Sequence, residues 1–132
     1  MRLSPCHQFP MKPCIFCNPD REILAQHEHA IAVYDGHPVS KGHALILPRR
    51  HVTTIWELEA GEYAACFELV RVVRRLLESR FSPDGFNVGV NCGEAAGQSV
   101  EHAHIHLIPR YRGDVPKPRG GVRNIIPHKG HY

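Results

Sequence analysis

Apolar residues crowd into two short runs early in the chain, "HAIAVYD" (29–35) and "GHALILPRR" (42–50). Their length and aliphatic, β-branched content predict two strands, and the link "GHPVSKG" between them is rich in turn formers. "HVTTIWELEA" then leads into a stretch of different rhythm. From about residue 60 to 80, Tyr63, Cys66, Phe67, Val70, Val73 and Leu77 recur at three- and four-residue steps, the spacing of a helix with one buried face. Glu62, Glu68, Arg71, Arg75 and Glu78 fall on the predicted solvated side. "SPDG" (82–85) stops the helix; "FNVGVN" (86–91) and "VEHAHIHLIP" (100–109) predict two more strands. Pro109, Gly113, Gly120 and Gly121 leave the remainder mostly irregular. Strands before and after one dominant helix imply an α+β domain built on an antiparallel sheet. Exposed strand edges need cover, and pairing with a second copy is one route.

A chain of 132 residues is long enough for one core and too short for two. The expected division is a flexible N-terminal extension (1–12), a domain (13–112) and a basic tail (113–132), the last disordered or packed on a partner subunit. No apolar run reaches membrane-spanning length, and the polar, proline-containing start is unlike a secretory signal. A cytoplasmic protein without membrane partners is expected. The net charge of +3 is too mild to imply nucleic acid. From Arg110 onward, however, Arg110, Arg112, Lys117, Arg119, Arg123 and Lys129 face a single acid, Asp114. Most such side chains simply face water; beside an anion site they would form a basic edge. The five cysteines are an odd number and do not suggest a full disulfide framework, while Cys14 and Cys17, two residues apart, are a metal or redox candidate.

The chemistry concentrates in "GQSVEHAHIHLIPR" (97–110). Along a strand, His102, His104 and His106 share one face, while Ala103, Ile105 and Leu107 point into the core. Packing alone explains three histidines in register poorly. Gly97 lets backbone approach a ligand closely, Gln98 and Ser99 offer donors, and Asn91 ends the preceding strand in the same region. Neutral donors around imidazoles suit a phosphate group.

"HAHIHLI" matches the pattern His-φ-His-φ-His-φ-φ, and from "CIFC" to about "PRYRGD" the chain resembles the histidine-triad (HIT) nucleotide hydrolases and transferases. The resemblance implies a HIT-like fold whose sheet continues across a homodimer. It implies His104 as the nucleophile that attacks the α-phosphate, His106 as a ligand of phosphate and leaving group, and His43 as the upstream histidine of the same group. Asn91, Gly97, Gln98 and Ser99 take the place of the phosphate-binding loop, Asp35 of the residue on the ribose hydroxyls, and Phe16 of an apolar residue against the base. Histidine at the third triad position, where nucleotidyl transferases commonly carry glutamine, favours hydrolysis. The implied substrates are purine nucleotides: dinucleoside polyphosphates such as diadenosine tetraphosphate, with Arg110, Arg112 and Arg119 toward the extra phosphates, or nucleoside phosphoramidates. A nucleotide-binding regulatory protein without turnover is the rival expectation.

Bacterial HIT proteins also resemble this chain in "CxFC" near the start and "P-x-x-H-V" after the second strand. The matching residues Cys14, Cys17, His51 and His102 are thereby implied as ligands of one structural Zn2+, with no organic cofactor. His102 would then hold metal while His104 attacks, although both are expected on the same strand face. Cys6, Cys66 and Cys92 are expected not to be ligands.

Overall fold

In the computed structural model, residues 14–132 are described; the expected extension and Cys6 lie outside them. Five strands, β1 (Ile23–Gln26), β2 (Ala30–Tyr34), β3 (Ala44–Pro48), β4 (Gly85–Gly89) and β5 (Ile105–Arg110), surround one long helix, α1 (Ala60–Phe81). They form one antiparallel sheet in the order β1-β2-β3-β5-β4. The α+β architecture is the expected one. β1 was not foreseen: "ILAQ" is short, and its burial pattern lacks a clean alternation.

β2 and β3 are apolar almost throughout because both their faces are covered. Ala30, Ala32, Ala44 and Ile46 pack with Ile105, Leu107 and the inner side of α1. Ile31, Val33, Leu45 and Leu47 form a second cluster on the opposite face, closed by Phe16. Continuous burial removes the alternation that normally marks a half-exposed strand.

α1 buries Ala65, Cys66, Leu69, Val73 and Leu77. Phe67, expected on that face, is 46% exposed, and Leu69 takes its place; Tyr63 and Val70 pack at the margin. Glu62, expected in solvent, is buried because Arg50 holds it through two bonds of 3.1 and 2.8 Å. The guanidinium keeps this carboxyl below the usual range, and Glu62 also accepts the Glu59 N–H at 2.9 Å, capping the helix. Ser82, in the left-handed region at φ 50°, and Pro83 end α1. Gly42 has φ +90°, and a Cβ there would come within 2.8 Å of the Phe81 ring, so only glycine fits this turn.

β5 is shorter than expected: it starts at Ile105, so His102 and His104 precede the strand. Residues 101–104 are instead fixed locally, with the Ala103 N–H bonded to the Val52 carbonyl at 2.8 Å. The tail carries a five-residue 3-10 turn, Gly121–Ile125, that packs against β4. Among the described residues no helix is long and apolar enough to cross a membrane.

Candidate active site

Side-chain alternation places His43, Leu45 and Leu47 of the β3 segment on the sheet face away from α1, and likewise His106 and Ile108 of β5. His106 is paired with Leu45 on one side and with Gly89 on the other. His43, His102 and His104 are all buried.

Backbone partners fix which nitrogen of each ring carries the proton. His104 Nδ1 lies 2.8 Å from the His102 carbonyl, which only accepts, so Nδ1 holds the hydrogen and Nε2 keeps its lone pair. His43 Nδ1 accepts the Val39 N–H at 3.1 Å, so its proton sits on Nε2. That Nε2–H donates to His106 Nδ1 at 2.9 Å. His106 must therefore carry its own proton on Nε2. The result is one imidazole with a free lone pair, His104, beside another with an N–H to offer, His106, their centroids 5.0 Å apart. Burial pushes the His106 ring down to about 4, with His104 and His43 as like-charged neighbours adding to the effect. Burial also lowers His43, against the pull of Asp35. Both are neutral near pH 7, as these tautomers require.

Asp35 accepts the His37 N–H through Oδ1 at 2.8 Å and turns Oδ2 toward His43 Nε2 (3.4 Å) and His106 Nδ1 (3.9 Å). Asp35, His43 and His106 have the types of a metal triad. The Val39 N–H argues against that use, because it keeps a hydrogen on the His43 nitrogen that faces the cluster.

His102 faces elsewhere. Its Nε2–H donates to the Pro48 carbonyl at 2.8 Å, leaving the Nδ1 lone pair 3.3 Å from Cys14 Sγ and 3.6 Å from Cys17 Sγ. His51 Nδ1 lies 3.3 Å from Cys17 Sγ. The four ligand atoms of Cys14, Cys17, His51 and His102 lie within 4.8 Å of one another. Two sulfurs and two imidazoles are a tetrahedral-zinc donor set, and the Pro48 carbonyl orients His102 as second-sphere acceptors orient metal-bound histidines. Burial holds the His102 ring down at about 4, neutral and able to ligate. The expected conflict between His102 and His104 does not arise. With β5 starting at Ile105, the two rings are free to turn apart, and His102 serves one site through its ring and the other through its carbonyl.

The loop before the triad is held by Gln98. Its Oε1 accepts the Gly93 N–H (2.8 Å), and its amide hydrogens go to the carbonyls of Thr53 (2.6 Å) and Val100 (3.0 Å). Gln98 thus shapes the loop, with both side-chain hydrogens engaged. Asn91, Gly97 and Ser99 are exposed, and Gly97 adopts φ +92°. Asn91 follows Gly89, the residue paired with His106, by two positions and so continues toward the histidines. Phe16 is 5% exposed and stands edge-on to His104 at 5.0 Å. Arg110 is held by Asp114 at 2.8 Å through two nitrogens and donates to Asn87 at 2.6 Å. Cys66 is buried, its thiol pushed up to about 11, which fits an inert core residue.

The Val39 N–H and the carbonyls of Pro48 and His102 were invisible in the sequence, because every residue carries such groups. The only hint was the turn-rich link before His43.

Residues 18–113 match the model of the HIT domain. The "Protein hit" of Bacillus subtilis is 38% identical over 108 residues, covering 76% of this chain and 74% of that protein. The asymmetrical bis(5'-nucleosyl)-tetraphosphatase of Schizosaccharomyces pombe is 39% identical over 77 residues, 58% of this chain and 42% of that protein. Among solved structures, a HIT family protein from Bacillus anthracis superposes with a TM-score of 0.72 at 37% identity, covering 76% of this chain and 75% of that one. A Zn-bound histidine triad protein from Mycobacterium smegmatis gives 0.71 at 26% identity and 79% of each chain. Sheet order, histidine cluster and sequence thus agree: the chain belongs to the HIT domain family, whose named relatives include nucleotide-processing enzymes.

Proposed function

We propose that the protein is a nucleotide hydrolase in which His104 attacks the α-phosphorus of a purine nucleoside phosphate and a nucleoside monophosphate is released. The observation that carries this reading is the His104 tautomer: a buried imidazole whose Nδ1–H is engaged by a carbonyl keeps its Nε2 pair for phosphorus. In the first step Nε2 forms a P–N bond, and the P–O or P–N bond to the leaving group breaks, its pair leaving with that group. The ring becomes cationic and the His102 carbonyl stabilises it. A departing phosphate oxygen accepts a hydrogen bond from the His106 Nε2–H, whereas a departing nitrogen takes that proton and leaves as the neutral amine. In the second step water adds to phosphorus, the P–N pair returns to Nε2, and the surplus proton passes to solvent or, where an amine has left, restores His106.

Asn91, Gly97 and Ser99 contribute to the phosphate site, Gln98 keeps their loop in shape, and Asp35 takes the ribose hydroxyls. Phe16 closes the base side from beneath. The S. pombe relative is named for tetraphosphate cleavage, which supports a dinucleoside polyphosphate as substrate ahead of a phosphoramidate. Cys14, Cys17, His51 and His102 hold one Zn2+, which ties the segment before β1 to the sheet and carries no step of the reaction; the Zn-bound relative supports this. The exposed β4 edge pairs with a second copy to give a homodimer.

The test compares wild type with His104→Ala on diadenosine tetraphosphate and on adenosine 5′-phosphoramidate, with AMP affinity measured in parallel. Turnover lost with AMP binding kept is the expected result. A wild type that binds AMP but turns over neither substrate overturns the hydrolase and leaves the regulatory binder.

A further inference from the structure

Past His106 the same sheet face continues to Ile108, about 7 Å further along β5, where Ile108 pairs with Asn87 of β4. A cavity of about 370 Å³ opens there, lined by Val39, Ser40, Asn87, Ile108, Lys117 and Asn124. Its near wall is the Val39–Ser40 turn, whose Val39 N–H bonds His43 Nδ1 at 3.1 Å. Lys117, Pro118 and Asn124 also line a second cavity of about 640 Å³, which makes one groove running to Arg119, His131 and Tyr132.

Charge distinguishes the two walls. On the sheet side Arg110 is neutralised by Asp114 and fixed to Asn87, so it stiffens the wall without offering net charge. On the tail side, residues 115–132 contain Lys117, Arg119, Arg123 and Lys129 and no Asp or Glu. Lys117 and Arg119 form no ion pair among the described residues. Arg119 and Arg123 both stand over the Tyr132 ring, at 4.7 and 5.0 Å, which brings two guanidiniums together. On an open surface such cations would only face water. Here they line a groove whose sheet wall includes Ile108, two residues past His106 on the same face.

We infer that this groove is an anion subsite for a phosphorylated leaving group, with Lys117 and Arg119 carrying the charge that recognises it. The inference rests on the reading of His104 as nucleophile. As the bond from the α-phosphorus to the bridging oxygen breaks, its electron pair stays on the departing phosphate. A phosphate is a weak base and leaves without taking a proton, so hydrogen bonding from His106 together with these cations completes the step. Leaving groups without charge gain nothing from the groove.

Inorganic tripolyphosphate, titrated by calorimetry into the full chain saturated with AMP, tests the site. Wild type should bind it; Lys117→Ala combined with Arg119→Ala should weaken binding by about tenfold or more, the worth of one charge-assisted hydrogen bond, and Lys117→Arg with Arg119→Lys should restore it. No binding to wild type, or binding that the double alanine variant leaves intact, overturns the subsite. The same double variant should lose about tenfold in kcat/KM on diadenosine tetraphosphate and stay within about twofold on adenosine 5′-phosphoramidate. Equal changes on the two substrates overturn the leaving-group role. If wild type turns over neither substrate, the hydrolase reading fails, while the tripolyphosphate titration still decides whether the groove is an anion site.

Discussion

Acid should destabilise the metal-free, reduced protein well before its carboxylates titrate. His102 and His106 are both held down to about 4 by burial, against an ordinary value of 6.5 in the unfolded chain. Because the folded values are depressed, the unfolded state binds more protons between pH 6.5 and 4, so stability falls as pH falls through that window and levels off below it. At about pH 5 the unfolded ring is almost fully charged, whereas only about a tenth of the folded ring is, which costs about 2 kcal/mol per ring. The two rings together give about 4 kcal/mol between neutral pH and pH 5, with a smaller addition from His43, also lowered by burial. In urea, at about 2 kcal/mol per molar for a domain of this size, the unfolding midpoint should drop by about 2 M. The Glu62 carboxyl starts from 4.5 and is held lower by Arg50, so its contribution is lost only as pH falls below 4.5, under the pH 5 of the comparison. The assay is urea denaturation with chelator and reductant near pH 7.5 and pH 5, on wild type and on His106→Asn. The variant should keep about half of the pH-dependent loss, whatever its stability at neutral pH. A midpoint that does not move in wild type, or the same shift in both proteins, would show that these rings are not held neutral by the fold.

Three further outcomes follow from particular contacts. Gly42→Ala should cost about 1–3 kcal/mol in urea or thermal denaturation, since φ +90° and the Phe81 ring both oppose a side chain; an unchanged midpoint would mean the turn relaxes freely. Glu62→Gln should cost about 1–3 kcal/mol, because Arg50 loses its charged partner at a buried site, and the loss should shrink as pH falls below the ordinary value of 4.5 through the lowered one of the wild-type carboxyl. Protein purified in reductant without chelator should hold about one zinc per chain by elemental analysis, and Cys14→Ser should lower both the zinc content and the melting temperature; a zinc-free wild type would refute the ligand set.

The helix was legible from its three- and four-residue periodicity, and four of the five strands from short apolar, β-branched runs between turn formers, which a sequence displays directly. A helical wheel ranks positions by polarity, and for Glu62 Arg50 overrode that ranking from outside the helix by making its burial favourable; the exposure of Phe67 has no such contact behind it. The four residues that cluster as metal candidates were singled out through resemblance to a family; the spacing of Cys14 and Cys17 alone left redox chemistry equally open. The triad was misplaced on its strand for a subtler reason. Alternating histidines and aliphatics fit a strand from residue 100, but Ala103 bonds to Val52 and not to a neighbouring strand, and periodicity carries no information about which backbone a residue pairs with.

That misplacement bears on how the site works. Had β5 extended back through His102, the two rings would project in parallel, and the His102 carbonyl would belong to the strand ladder. Because the ladder starts at Ile105, this carbonyl is available to hold the His104 Nδ1–H, while the His102 ring points to the cysteines. The two sites therefore share one residue without sharing any atom. A side chain fixed by Pro48 and the sulfurs immobilises its own backbone, and that backbone selects the tautomer of the neighbouring imidazole. On the other flank the Val39 N–H does the same for His43, and through it for His106. Both tautomers are thus set by main-chain groups whose positions follow from packing on either side of the sheet. This is why an ordered fold, and not merely three nearby imidazoles, is needed to present one lone pair and one N–H side by side.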